Sequence, residues 1–206
     1  MVKESIPFIS IPLAVAVFFA FAAFYFAFYQ LWLAAAAFFI LAAFMAFFFR
    51  DPKRTAPVEA DIIVSAADGK VTRIEERENG KFVSVFLSPL DVHINRAPIS
   101  GKVMKVEMFR GKKNPATSNR ASEINERNAI TIEGEKMTVV CTQIVGILAR
   151  RIVCWTKVGD NLDIGEKYGL IKFGSRTDLL MPNAVEILVK VGDKVKGGET
   201  IIAKLN

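Results

Sequence analysis

Residues 6–49 carry no charged side chain, the whole chain has one histidine, and its two cysteines are far from any metal-ligand spacing. Each scarcity excludes something. Cys141 and Cys154 fall in apolar, strand-like runs (138–144 and 151–155), so they read as reduced core thiols and no metal is expected. Glycine-rich phosphate-binding loops are absent. The globular part also lacks an aromatic and basic platform on which bases would stack, so nucleic acid is set aside as a partner. From residue 51 on there are 25 Lys and Arg against 20 Asp and Glu, because Lys3, Arg50 and Glu4 come earlier. That mild excess suits an anionic membrane surface as well as it suits nucleic acid and decides nothing alone.

The uncharged stretch is the strongest feature present. A helix needs about 20 apolar residues to cross a hydrocarbon core about 30 Å thick. Residues 7–28 and 31–49 each meet that length, with Tyr29-Gln30 as the expected connection. A signal peptide fits poorly, since the apolar run after Lys3 is far too long and no small-residue cleavage site leads into polar sequence. A very hydrophobic soluble hairpin is the alternative. The expected organisation is a membrane-anchoring helical hairpin over residues 1–50 and a globular domain over residues 51–206. Both ends of a hairpin lie on one side, and Lys3, Arg50, Lys53 and Arg54 flank those ends while the connection has no Lys or Arg. The positive-inside rule therefore places the globular domain on the cytoplasmic face of the cell membrane. Tyr25, Tyr29 and Trp32 cluster where an interfacial belt would sit.

Past residue 51 no sustained helical stripe occurs. Apolar runs of strand length alternate with Gly, Pro and Asp, at 62–65, 70–74, 82–87, 102–108, 129–132, 137–144, 151–158, 170–173, 184–189 and 200–204. Short helices fit at 121–127 and 146–151. The fold class is mostly β, a closed or sandwiched sheet in a compact domain. A weak internal repeat runs through it. Val158-Gly159-Asp160 is followed by Gly165-Glu166, and Val191-Gly192-Asp193 by Gly198-Glu199. Biotinyl and lipoyl carrier domains use the same turn grammar, though the lysine bracketed by methionines that they modify is missing. Shared β-turn chemistry is the plainer account. Residues 109–128 form the longest polar stretch, either a solvated loop or a mobile basic lid.

Three places can carry chemistry. The run from Leu87 to Pro98 holds the single histidine, and an extended backbone over 91–95 puts Asp91, His93 and Asn95 on one face. A lone histidine is more often structural, but that polar face inclines it towards function. Asp68-Gly69 is a hairpin signal, and taken alone Asp68 is a turn residue. Ser175 follows Gly174 after an apolar strand. It does not fit a nucleophile elbow, because Gly174 directly precedes it and Asp178 stands where the second glycine would be. Its Oγ is instead placed to attack the carbonyl of Gly174.

Phe173-Gly174-Ser175, L-S-P-L-D-V-H at 87–93, Ala67-Asp68-Gly69, F-R-D-P-K-R at 49–54 and G-I-L-A-R-R-I-V at 146–153 together resemble phosphatidylserine decarboxylase, in its short archaeal-type and bacterial branch. The resemblance spans nearly the whole chain. It implies a proenzyme that cuts itself at Gly174–Ser175 into a β-chain, 1–174, and an α-chain, 175–206. The cofactor it implies is a pyruvoyl group derived from Ser175, with no metal and no pyridoxal phosphate. The substrate would be a serine phospholipid (phosphatidylserine or archaetidylserine), decarboxylated to the ethanolamine phospholipid, with membrane lipids as further partners. Asp68, His93 and Ser175 match the self-cleavage triad. Longer members carry a second histidine where this chain has Arg96, which leaves open whether His93 serves both processing and decarboxylation. Arg96, Arg150, Arg151 and Arg176 are candidates for gripping phosphate or carboxylate, with structural ion pairs as the alternative. Homo-oligomerisation is left open. The competing function is a non-enzymatic membrane adaptor or carrier built on a biotinyl/lipoyl-like domain.

Overall fold

The computed structural model describes residues 6–26, 29–118, 120–147, 151–172 and 174–206. The chain divides into two units, Met1–Pro52 and Lys53–Asn206.

The first unit is a pair of helices, α1 (Ile6–Phe26) and α2 (Tyr29–Phe48). Both are long and apolar enough to cross a membrane. Their burial is inverted relative to a soluble core. Phe18, Phe21, Phe24, Phe39 and Ile40 are exposed, whereas Ala16, Ala23 and Ala35 are buried. Small residues let two helix backbones approach, and large apolar ones face outward, as lipid-facing helices arrange them. Phe19 and Phe38 stack at 5.9 Å between ring centroids. Tyr29 and Gln30, expected as the connection, are the first residues of α2.

The second unit is built from β1 (Ile62–Val64), β2 (Gly69–Arg77), β3 (Gly80–Leu87), β4 (Ile94–Arg96), β5 (Gly101–Phe109), a single helical turn α3 (Ala121–Ile124), β6 (Arg127–Glu133), β7 (Thr138–Val145), β8 (Arg151–Cys154), β9 (Asn161–Leu162), β10 (Lys167–Lys172), β11 (Ser175–Met181), β12 (Val185–Ile187), β13 (Lys194–Val195) and β14 (Ile201–Leu205). An eight-stranded sheet runs in the order β13-β2-β3-β11-β7-β6-β5-β9, beside two three-stranded sheets, β1-β14-β12 and β4-β10-β8. The mostly-β class holds. β11 was not expected as a strand at all. It lies between β3 and β7, with Ser175 opposite Leu87 on one side and Val145 on the other.

Alternating apolar residues of the large sheet form one core that includes Val71, Val83, Val103, Ile130, Ile132, Leu179 and Met181. Cys141 is buried in it, and burial pushes its thiol far above the ordinary range, opposed by the Tyr168 hydroxyl. A smaller cluster of Val145, Ile152 and Ile171 packs at the Ser175 end of β7 and β10.

The internal repeat is structural. Gly159 donates to Val103 O and Gly192 to Val71 O, both at 2.8 Å, while Val103 and Val71 donate back to Asp160 O and Asp193 O. Asp160 accepts from Lys157 N and Asp193 from Lys190 N, again both at 2.8 Å. The strands they clip match too: β2 shifts register against β3 between Val71 and Arg73, and β5 against β6 between Val103 and Lys105. The globular unit thus contains two similar halves. This goes beyond shared turn chemistry, although it does not by itself identify a carrier domain.

Candidate functional site

Ser175 is the first residue of β11 and is fully buried. Among the described residues its Oγ has no hydrogen-bond partner. A buried hydroxyl left in that state costs about 1–3 kcal/mol, so it marks a position kept for something other than stability. Gly174 has φ +50, a left-handed conformation that a side chain would strain. Its carbonyl accepts a hydrogen bond from the main-chain N–H of Gly146 at 3.0 Å. Phe173, the first residue of that motif, lies outside the described residues, as does Arg150.

His93 is buried at 2% exposure, just before β4. Its Nδ1 lies 2.9 Å from the carbonyl oxygen of Asp91. A carbonyl can only accept, so Nδ1 carries a proton; when the ring is neutral its lone pair is on Nε2, a buried atom. The His93 carbonyl accepts from Ile171 N at 3.1 Å, four residues before Ser175. Two residues downstream, Asn95 Nδ2 donates to Thr177 Oγ1 at 2.8 Å and Asn95 Oδ1 accepts from Gln143 Nε2 at 2.9 Å. His93 and Ser175 therefore each precede, by two residues, the side chains that bridge their strands. The expected polar face keeps His93 and Asn95. Asp91 leaves it, because its carboxylate caps a turn by accepting from Ser88 N and Ser88 Oγ.

Asp68 stands in the turn before β2. Its Oδ1 accepts from Gly197 N at 2.8 Å and its Oδ2 pairs with Arg54 Nη2 at 2.6 Å. Arg54 reaches on to Glu199 at 2.9 Å. Burial would raise the Glu199 carboxyl, but Arg54 outweighs it and holds the group below the usual carboxylate range. The repeat explains half of Asp68: in the other half Ser100 Oγ accepts from Ile164 N at 2.9 Å, just before the matching Gly165. The Asp68 turn joins the histidine strand through Arg96 N, which donates to Ala66 O at 2.9 Å.

The candidate arginines separate. Arg96 is buried with Nη1 on Gly165 O at 3.0 Å, and an added Cβ at Gly198 would lie 2.8 Å from its Cδ. It is wedged between the two repeat turns. Arg176 is buried and pairs with Asp178, while its Nη1 donates to the carbonyls of Ala116 and Ser118. Arg151 is exposed at the start of β8, opposite Lys172. The polar stretch 109–128 is anchored at several of its described residues. Besides the Arg176 bonds, Asn125 Nδ2 donates to Asn114 O and Val145 O, both at 2.8 Å, and Lys112 N donates to Ile124 O. Among the described residues no cluster of His, Cys, Asp and Glu could hold a metal ion.

Sequence reasoning missed Gly146. A Cβ there would meet Gly174 O at 2.4 Å, so the close approach requires glycine. No local signal pairs it with Gly174, although it opens one of the resembling runs.

Residues 41–203 match the model of the family described as Phosphatidylserine decarboxylase. The chain is 44% identical over 165 residues to a phosphatidylserine decarboxylase proenzyme of Pelodictyon phaeoclathratiforme, covering 77% of each. It is 45% identical over 172 residues to that of Wolbachia pipientis, covering 78% of this chain and 75% of the relative. To that of Symbiobacterium thermophilum it is 40% identical over 213 residues, covering 98% of this chain and 94% of the relative.

Proposed function

The chain belongs to the phosphatidylserine decarboxylase family, and from that premise we propose that it is a membrane-anchored, self-processing enzyme that decarboxylates phosphatidylserine to the ethanolamine phospholipid. The observation that carries this reading is Ser175, buried, without a partner for its Oγ among the described residues, and preceded by a left-handed glycine. A buried hydroxyl without such a partner is suited to act on the bond beside it, and the site fits a group made from Ser175 itself.

Nε2 of His93 takes the hydroxyl proton as Oγ attacks the Gly174 carbonyl carbon. The carbon–nitrogen bond breaks, the proton passes to the released amine, and an ester joins Gly174 to Ser175 Oγ. Loss of the Ser175 α-proton then expels the Gly174 carboxylate and leaves dehydroalanine at residue 175. Water replaces the nitrogen, ammonia leaves, and the α-chain begins with a pyruvoyl group. That group supplies a ketone able to take up the electron pair left as CO₂ departs. Asp68 contributes negative charge to the imidazolium formed at His93, its loop being bonded to the histidine strand through Arg96 N. Arg151, exposed on β8, meets the phosphate of the headgroup. The helical pair keeps the globular unit at the cytoplasmic surface of the membrane, where a two-chain lipid stays. Phosphatidylserine is preferred over its ether-linked archaeal counterpart because the relatives bear that name.

The test is the mass of the chain itself. Wild-type protein from membranes should yield residues 1–174 and a 175–206 fragment lighter by one NH₃ than the serine-started peptide and closed to N-terminal sequencing. Ser175→Ala should remain full length and inactive. A wild-type chain that decarboxylates lipid while intact would falsify the mechanism, and an intact, inactive one would favour the adaptor.

A further inference from the structure

We propose that the main-chain N–H of Gly146 is the oxyanion donor of the self-cleavage step. The inference rests on the self-processing reading above and names the group that makes its first bond change possible. Attack by Ser175 Oγ turns the Gly174 carbonyl oxygen into an alkoxide. A donor fixed on that oxygen beforehand stabilises the charge where it develops, with no reorganisation during the step. The Gly146 N–H already lies 3.0 Å from it.

Three features show that the approach is built. A Cβ at residue 146 would stand 2.4 Å from Gly174 O and 3.2 Å from the Ala116 Cβ, so only glycine brings the donor this close. Residue 146 follows β7, which pairs with β11 up to Val145 opposite Ser175, so the donor extends the strand beside the nucleophile. The near side is held by the 114–125 segment, through Asn125 on Val145 O and Arg176 on Ala116 O. Ser175 and Gly146 are buried, Gly174 is half-buried, and Val145 beside the donor packs with Ile152 and Ile171, so a hydrogen bond to a developing charge is stronger there than in open water. The bond changes balance without any co-reactant: Oγ–C forms, C–N breaks, and the proton leaves Oγ for His93 and then the Ser175 nitrogen. Once the bond is cut, the same N–H holds the new Gly174 carboxylate.

The experiment replaces Gly146 in the full chain with glycolate, an amide-to-ester exchange that puts an oxygen in place of the N–H and adds no side chain, and alongside it makes Gly146→Ala. Self-cleavage is followed by gel and mass from freshly made precursor, with and without hydroxylamine, which cleaves an ester as soon as it forms; only products cut between residues 174 and 175 are counted, since the reagent also attacks the introduced ester after Val145. The ester-backbone variant should melt close to Ser175→Ala yet cut on the order of 10²-fold more slowly than wild type. Hydroxylamine should not rescue it, because the acyl shift itself is slowed. Gly146→Ala should be at least as slow. Wild-type cleavage with an equally fast ester-backbone variant overturns this proposal alone. A slow variant that hydroxylamine restores also overturns it, since the donor would then act after the ester. A wild-type chain that never cuts overturns both this proposal and the function on which it rests.

Discussion

Asp68 and Ser100 occupy matching places in the two halves of the globular unit, each accepting the N–H that precedes a repeat glycine. The comparison separates what Asp68 does for the turn from what its charge does for the site. Asp68→Ser should keep the Gly197 bond and fold normally, yet self-cleave more slowly than wild type. Asp68→Ala loses the bond as well and should cost about 1 kcal/mol by denaturant titration. Equal cleavage rates for Asp68→Ser and wild type would leave the residue as a turn clip only. Glu199, on the far side of Arg54, gives the pH dependence its sign. Its carboxyl lies lower in the folded chain than in the unfolded one, so its contribution is complete above about pH 4.5 and is lost as pH falls through the folded value. Glu199→Gln should therefore be slightly less stable at neutral pH, by about 0.5 kcal/mol for a partly exposed pair. The difference from wild type should shrink as pH falls below about 4.5 in melting scans.

Besides the two- and three-residue strands β4, β9 and β13, β11 is the element that pattern reading does not find. Ser175, Arg176, Thr177 and Asp178 are all buried, so half the strand reads as polar turn although it lies mid-sheet. Their satisfaction comes largely from afar, Thr177 from Asn95, and Asp178 from Ser84 and Ser122 besides the neighbouring Arg176. Contacts across so many intervening residues leave no local trace. The other long strands were legible because they are apolar runs bounded by turn residues, and the helical pair because nothing charged interrupts it. For the site, Ser175, His93 and Asp68 stood out by motif, whereas Gly146 acts through a backbone atom whose partner only the fold supplies. The Arg176–Asp178 pair offers a test at this level. Arg176→Ala leaves a buried carboxylate uncompensated and should cost about 3–5 kcal/mol. It should also release the 116–122 segment, seen as faster amide exchange there than in Leu180→Ala. Protection unchanged at 116–122 would mean that Asn125 alone holds it.

Across the whole molecule, the helical pair and the globular unit make separate claims. If both helices span, labelling reporters at residues 30 and 206 should report opposite sides of the membrane, and labelling from one side would sink the hairpin topology. The globular unit carries a different consequence, which follows from where β11 lies. If the chain is cut before Ser175 as proposed, β11 through β14 belong to the 175–206 fragment, and β11, which lies between β3 and β7, becomes the seam. Unfolding then ceases to be a change of shape in one chain and becomes the parting of two. Its midpoint should rise with protein concentration, while that of uncut Ser175→Ala should not. Reassembly becomes a second-order encounter in competition with pairing between the bare edges of β3 and β7 on different copies. On that reading maturation would set a one-way limit on the lifetime of the enzyme: what folded once as a single thread would have to find its other half again.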